Sequence, residues 1–207
     1  MKKRIKTIAS YISPYKHIAD IGCDHGYLIK EAIKNGAVYA QAIDNKIGPL
    51  TTAKKNLLKF ENQVDFSLSS GIKNLDPRVE VIVIAGMGGQ LIINIIDEDN
   101  SKLNNVKRII TQANKNQFEL RKYMSEKAGF KIVSEKIIEE DSIYYEIIVF
   151  EKGSANYSDD ELYFGPYLLV NKDDIFIKKW NEIVLKLKSL NKKEVQENID
   201  YINKHLS

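Results

Sequence analysis

The sequence predicts an α/β fold: a mostly parallel seven-stranded sheet, ending in an antiparallel hairpin and followed by a C-terminal helical hairpin. Three observations carry this. Short apolar runs alternate with helix-period segments through the first 150 residues. Two long strand patterns then follow one another with no room for a helix between them, and after Gly153 only helical spacing remains.

The elements justify themselves in chain order. HIADI at 17–21 is a short apolar strand. GYLIKEAIKNG then places Leu28, Ile29, Ala32 and Ile33 on one helical face, and Gly36 closes it. AVYAQAID at 37–44 is the second strand, and GPLTTAKKNLLKFE opens with Pro49 near a helix start. QVDFSLS is the third strand, VEVIVIAG the fourth and most uniformly apolar, and VKRIITQA the fifth, with helices at about 88–97 and 115–128 between them. Strand after helix after strand implies a parallel sheet covered on both faces. FKIVSEKIIEED and SIYYEIIVFEK, joined through 139–142, form the antiparallel hairpin. A dinucleotide fold would continue with strand and helix, so this ending is similar to the layout of class I methyltransferases. SDDE at 158–161 has a capping-box pattern, and apolar stripes before and after a break near Asn191 predict the terminal helical hairpin, whose stripe serves as core or as a partner surface.

At 207 residues the chain exceeds the ~100–200 of one domain, so a domain over 1–153 with an appendage over 154–207 is expected. The single cysteine, Cys23, excludes an internal disulfide and fits a reducing cytoplasm; no apolar run is long enough to span a membrane. Net charge is +3, but basic residues concentrate in 1–17, in 102–136 and in 178–193. Such blocks either follow a phosphate backbone or are solvated faces of a lysine-rich chain. Only three histidines are present, and Cys23 has no ligand-spaced companion, so no metal site is expected.

Ligands of doubly wound sheets bind beyond the carboxyl ends of the strands. After the first strand, Asp20, Gly22, Asp24 and Gly26 form a D-x-G-x-D-x-G series. Asp24 would repel a pyrophosphate at a helix start, which wants positive charge. It suits the ammonium and sulfonium centres of S-adenosylmethionine. Asp44, ending the second strand about twenty residues on and followed by Asn45, can accept hydrogen bonds from both ribose hydroxyls. His25 caps the first helix, hydrogen-bonds a loop or touches the cofactor carboxylate. Ser70 and Gly71 follow the third strand, as a contact to the adenine or as an ordinary turn. AGMGGQLI then supplies Ala85, Gly86, Met87, Gly88 and Gly89, whose glycines imply close approach to the backbone; Met87 lines the cofactor pocket or fills core.

The acidic, proline-rich motif of amine-methylating enzymes is absent after the fourth strand. A ring nitrogen such as N1 of adenine, which presents an in-plane lone pair, is therefore the better target, and alignment matters more than a strong base. Gln112 and Asn114 in TQAN could read a base edge, with helix capping the alternative for Asn114.

These segments, in this order, resemble the bacterial tRNA adenine-22 N1-methyltransferase family (TrmK). The resemblance rests on Arg4 in the opening basic helix, ADIGCDHGYL, Asp44 with Lys46, Gly48 and Pro49, IAGMGG, QAN followed by Arg121, EKIIEED followed by YYE, and FGPYL at 164–168. It implies S-adenosylmethionine as cofactor, tRNA as partner, a Rossmann-like domain and a coiled-coil-like C-terminal domain. It places Asp20, Gly22, Asp24, His25, Asp44, Gly71 and Gly86 on the cofactor side, and Gly88, Gly89, Gln112 and Asn114 nearer the target base. Arg4, Lys46 and Arg121 fall either to tRNA phosphates or to solvated surface. Ala113, Ser70 and Glu80 depart from the family pattern. Rival expectations are a class I methyltransferase acting on another RNA, a protein or a small molecule, or a catalytically silent nucleotide-binding module.

Overall fold

The computed structural model describes residues 2–190 and 195–206. Its elements are α1 Lys3–Ser10, β1 His17–Ile21, α2 Tyr27–Lys34, β2 Tyr39–Asp44, α3 Ile47–Asn56, β3 Val64–Leu68, β4 Val81–Met87, α4 Gly89–Asp97, β5 Arg108–Ala113, α5 Gln117–Glu126, β6 Phe130–Glu140, β7 Ile143–Lys152, α6 Asp159–Phe164, α7 Pro166–Asn171, α8 Asp174–Ser189 and α9 Gln196–Leu206. The seven strands lie in the order β3-β2-β1-β4-β5-β7-β6. All pairings from β3 to β5 are parallel, and β7 is antiparallel to both of its neighbours.

This order sets the position of the site. From β1 the chain winds outward through β2 and β3, then returns to lay β4 on the other side of β1. α2 and α4, which follow β1 and β4, pack on opposite faces of the sheet, so the carboxyl ends of these two strands leave a crevice. Two apolar clusters cover the sheet faces, and Val81, Ile82, Val83 and Ile84 of the central β4 contribute alternately to both while wholly buried.

The C-terminal region departs from a simple helical hairpin. Gly165, at φ +96°, turns the chain between two six-residue helices, so α6 and α7 precede α8 and α9. Ser158 and Glu161 form the expected capping box at α6. The break expected near Asn191 lies outside the described residues. Phe164, Leu168, Phe176, Trp180, Val184, Ile199 and Ile202 form a third apolar cluster with Ile137 of β6. The terminal helices are thus seated on the hairpin edge of the sheet.

Arg121 is the main correction to the sequence reading. It lies neither at phosphates nor on a solvated surface: at 0 % exposure it is one of the largest fully buried side chains. Its Nε donates to Glu135 at 2.7 Å, its Nη2 to Glu146 at 2.7 Å and its Nη1 to the Leu162 carbonyl at 3.0 Å. The guanidinium therefore joins α5, β6, β7 and α6. A Cβ on Gly165 would come within 2.7 Å of Glu135 and 2.9 Å of Arg121, so only glycine permits this corner beside the ion cluster.

Candidate active site

The loop between β1 and α2 is bound to the end of β2. Gly22 and Cys23 donate their amides to the Ile43 carbonyl at 2.8 and 3.0 Å. Gly22, Asp24 and Gly26 all have positive φ, and a Cβ on Gly22 would lie 2.4 Å from Met87 Cε. The loop thus turns sharply against the residue that ends β4. Asp44 fixes it from behind: Oδ2 accepts the Asp24 amide at 3.3 Å and Oδ1 the Lys46 amide at 2.9 Å.

In front of this loop is a cavity of about 630 Å³, walled by the ends of β1 and β4, by α1 and by the start of β7. Of the expected cofactor-side residues, Asp20, Gly22, Asp24, His25, Ala85, Gly86 and Met87 line it. Asp44, Asn45, Ser70 and Gly71 do not; they follow β2 and β3, toward the margin of the same sheet end. His25 does not cap α2, which starts at Gly26 without a side-chain cap, and its Nε2 stands 3.6 Å from Asp24 Oδ2.

Asp20 dominates the electrostatics. It is 5 % exposed, and its pKa is pushed up to about 7, first by burial and then by the neighbouring Asp44 and Asp24. Burial, followed by Asp20 and Asp44, also raises the Cys23 thiol, so this cysteine is no thiolate nucleophile. A cavity whose buried acid is pushed toward its neutral form by burial and two neighbouring acids is suited to a cation, although Arg4 also stands on its wall.

On the β5 side the amides form a closed circuit. Gln112 Oε1 accepts from Arg4 Nη1 at 2.9 Å and from the Gly86 amide at 3.2 Å. Its NH₂ must then face Asn114, donating to Oδ1 at 2.9 Å, and Asn114 Nδ2 donates to the Gly86 carbonyl at 3.0 Å. Gln112, 1 % exposed, is thereby committed to the protein, while the exposed Asn114 lines the cavity. The Arg4 guanidinium also stands 4.8 Å from the Tyr145 ring.

Of the two expected base-side glycines, Gly89 serves packing. A Cβ on Gly89 would meet the Asn116 carbonyl at 2.4 Å, and the Gly89 amide is given to Lys115 O at 2.8 Å. Gly88, which packs against the Lys115 side chain, does not line the cavity either, and Lys46 is exposed at the start of α3. Tyr145, Tyr27, Ile5 and Ile8 line the cavity although no site role was read for them individually. The YYE segment and the apolar spacing of the basic first helix were their only signals. Glu80, one of the departures from the family pattern, lies at the opposite sheet end, bound to Lys107 and to the Lys16 amide.

Fold and site together define a class I S-adenosylmethionine-dependent methyltransferase: the seven-stranded order, the strand-end carboxylates and the glycine turn coincide at one opening. More narrowly, the chain belongs to the tRNA (adenine(22)-N(1))-methyltransferase family, whose model matches residues 18–207. It is 32% identical over 195 residues to the tRNA (adenine(22)-N(1))-methyltransferase of Bacillus subtilis, covering 88% of this chain and 80% of that protein. Among solved structures it resembles Streptococcus pneumoniae Sp1610 in complex with S-adenosyl-L-methionine, at TM-score 0.94 and 34% identity with both chains fully covered. It also resembles M. capricolum TrmK in complex with S-adenosyl-homocysteine, at TM-score 0.88 and 27% identity, covering 100% of this chain and 97% of that one.

Proposed function

We infer that this chain methylates N1 of adenine 22 in tRNA, using S-adenosylmethionine. The observation that carries the reading is the acid-lined cavity at the β1/β4 crevice, opening beside an amide circuit on β5, in a chain of this family. S-adenosylmethionine, when bound, supplies an electrophilic methyl group on a cationic sulfur. Asp20 and Asp24 offer negative charge to its cationic centres, and Gly22 and Gly86 allow close approach to the backbone. Asp44, with Asn45, is read as the ribose contact and Ser70 with Gly71 as the adenine contact, a reading supported by their position after β2 and β3 at the same sheet end. Asn114, held in one orientation by Gln112 and Gly86, presents an amide to the target base.

The chemistry requires no strong base. Adenine N1 presents an in-plane lone pair, so its bond to the methyl carbon could form as the S–C bond of the bound cofactor breaks, the sulfur keeping that electron pair as a neutral thioether, and no proton would have to leave for it. Gln112 and Arg4 are therefore positioning residues, fixing Asn114 and the Gly86 backbone. A groove of about 460 Å³ lined by Lys2, Lys30 and Lys34 shares Ile5 and Tyr27 with the cavity, and offers a path for phosphates. Residues 154–207 act as a second, tRNA-facing domain, and the enzyme works in the cytoplasm, where its substrate is. No described helix is long and apolar enough to cross a membrane.

The test is incubation of the protein and S-adenosylmethionine with unmodified tRNA, followed by primer extension. A new stop at position 22, lost when that adenine is replaced by guanine, is expected; methylation elsewhere or none would reject the reading.

A further inference from the structure

A second cavity, of about 490 Å³, opens beside the first. It lies where the loop between β5 and α5, the start of β7, and helices α6 and α8 converge, and Asn114 and Tyr144 belong to the walls of both cavities. Its flat surfaces are aromatic: Phe118, Tyr144, Tyr163 and Trp180 come from four different elements. Asn116 and Gln117 add amide groups near Asn114.

Charge in this cleft is largely neutralised. The Lys179 ammonium pairs with Glu146, which also accepts Arg121 Nη2 at 2.7 Å. Burial would raise the Glu146 carboxyl, but Lys179 and Arg121 together hold it down to about 2. Glu119 adds an exposed acid. A phosphate finds little here. Trp180, in contrast, is 5 % exposed, and its buried indole N–H has no hydrogen-bond acceptor among the described residues. The Lys179 ammonium stands 4.4 Å from the Trp180 ring, and a buried donor without a partner is costly, so an acceptor that reaches the N–H when the cleft opens around a ligand would relieve that cost.

The suitable occupant is flat, neutral and edged with acceptors. Nucleobases meet all three conditions: they stack on aromatic rings irrespective of sequence, and their ring nitrogens and carbonyls accept hydrogen bonds. We propose that this cleft is a second base-binding subsite, which takes the nucleobase next to the target adenine in the tRNA strand. The proposal rests on the tRNA reading above. The shared wall of Asn114 and Tyr144 sets the two openings side by side, as successive nucleotides of one strand require. The terminal helices then select the substrate through a stacked base as well as through phosphates, and the captured neighbour helps to offset the cost of withdrawing the target from its stack.

Trp180 is the only tryptophan, so its emission reports on this cleft directly. Enzyme saturated with S-adenosylhomocysteine is titrated with unmodified tRNA, then with tRNAs made abasic at either neighbour of the target. Intact tRNA should quench or shift the emission, and one abasic substitution should abolish most of that change and raise KM about tenfold, with kcat nearly unchanged. Phe118→Ala should raise KM for tRNA about 5- to 20-fold, and Trp180→Phe, which keeps an aromatic ring but removes the N–H, about threefold, both with cofactor affinity unaltered. The abasic change leaves the protein intact, so it separates base capture from fold stability. Normal methylation of tRNA with unaltered Trp180 emission and abasic KM values within twofold would overturn the subsite alone. Failure to methylate any tRNA would instead remove the reading on which it rests.

Discussion

Two buried acids, Asp20 and Glu146, are treated in opposite ways by the fold. Glu146, at the start of the hairpin edge, has Arg121 and Lys179 against it, and its carboxyl is held at about 2. Asp20, at the end of β1, has Asp44 and Asp24 nearby, and its carboxyl rises to about 7. Ionised carboxylates are kept in protein interiors when something compensates them. At Glu146 the compensation is built in, and the result is a joint between the sheet and the terminal helices. At Asp20, on the cofactor-binding reading proposed above, it is left to the cationic ligand, which makes the site less stable empty than full.

The largest expected effect comes from breaking the built-in compensation. Arg121→Met leaves Glu135 and Glu146 buried without their shared cation and should cost about 3–5 kcal/mol. For a chain of this size that lowers the thermal midpoint by roughly 10 °C, readable by calorimetry or circular dichroism. A loss within 2 °C would show that the joint is not structural. Truncation after residue 153 is a poorer probe, since it also removes the Leu162 carbonyl that accepts from Arg121.

Substitution at the other acid should act with the opposite sign on stability. Because the folded carboxyl of Asp20 lies near 7 against an ordinary 3.8, its contribution to stability is fully present below about 3.8 and is lost as pH rises through about 7. Asp20→Asn removes the ionisation, so the ligand-free protein should melt about 3–6 °C higher at pH 8, with the gain shrinking toward pH 5. The same change should weaken S-adenosylmethionine binding roughly 10- to 100-fold by titration calorimetry. Equal melting of the two proteins at pH 8 would count against an uncompensated acid.

A smaller effect is expected at Arg4. Lysine there keeps the charge but lacks the planar fork that meets Gln112 Oε1 and the Tyr145 ring. Arg4→Lys should lower kcat/KM for tRNA about fivefold, with cofactor affinity within twofold, since the cofactor-side acids are untouched. An equal loss in cofactor affinity would move Arg4 to the other side of the site.

The two regions also differ in how far the sequence discloses them. Asp20, Gly22, Asp24 and Asp44 are recognisable because strand ends and glycine turns are local patterns, and the topology brings them together without further information. The parallel run of strands, the hairpin ending and the capping box at Ser158 were legible for the same reason, whereas the order of the strands came only from the structure. Arg121 was not, because its partners Glu135, Glu146 and Leu162 lie 14, 25 and 41 positions away, and a basic residue on a predicted helix reads as solvated until they are in place. Gly89 likewise looks like a ligand-facing glycine until the loop at 115–116 is seen packed against it. Tyr145 needed the pairing of α1 with the hairpin, which no periodicity reveals.

The most direct test of the uncompensated acid is proton release on cofactor binding, measured at pH 7 by titration calorimetry in buffers of different ionisation enthalpy. If Asp20 is about half protonated in the free protein and ionised beside a cationic ligand, binding should release about half a proton, and affinity should rise from pH 6 to pH 8. Release should vanish in Asp20→Asn. Binding with no proton exchange and no pH dependence in the unaltered protein would contradict the claim that the ligand supplies the charge the fold withholds.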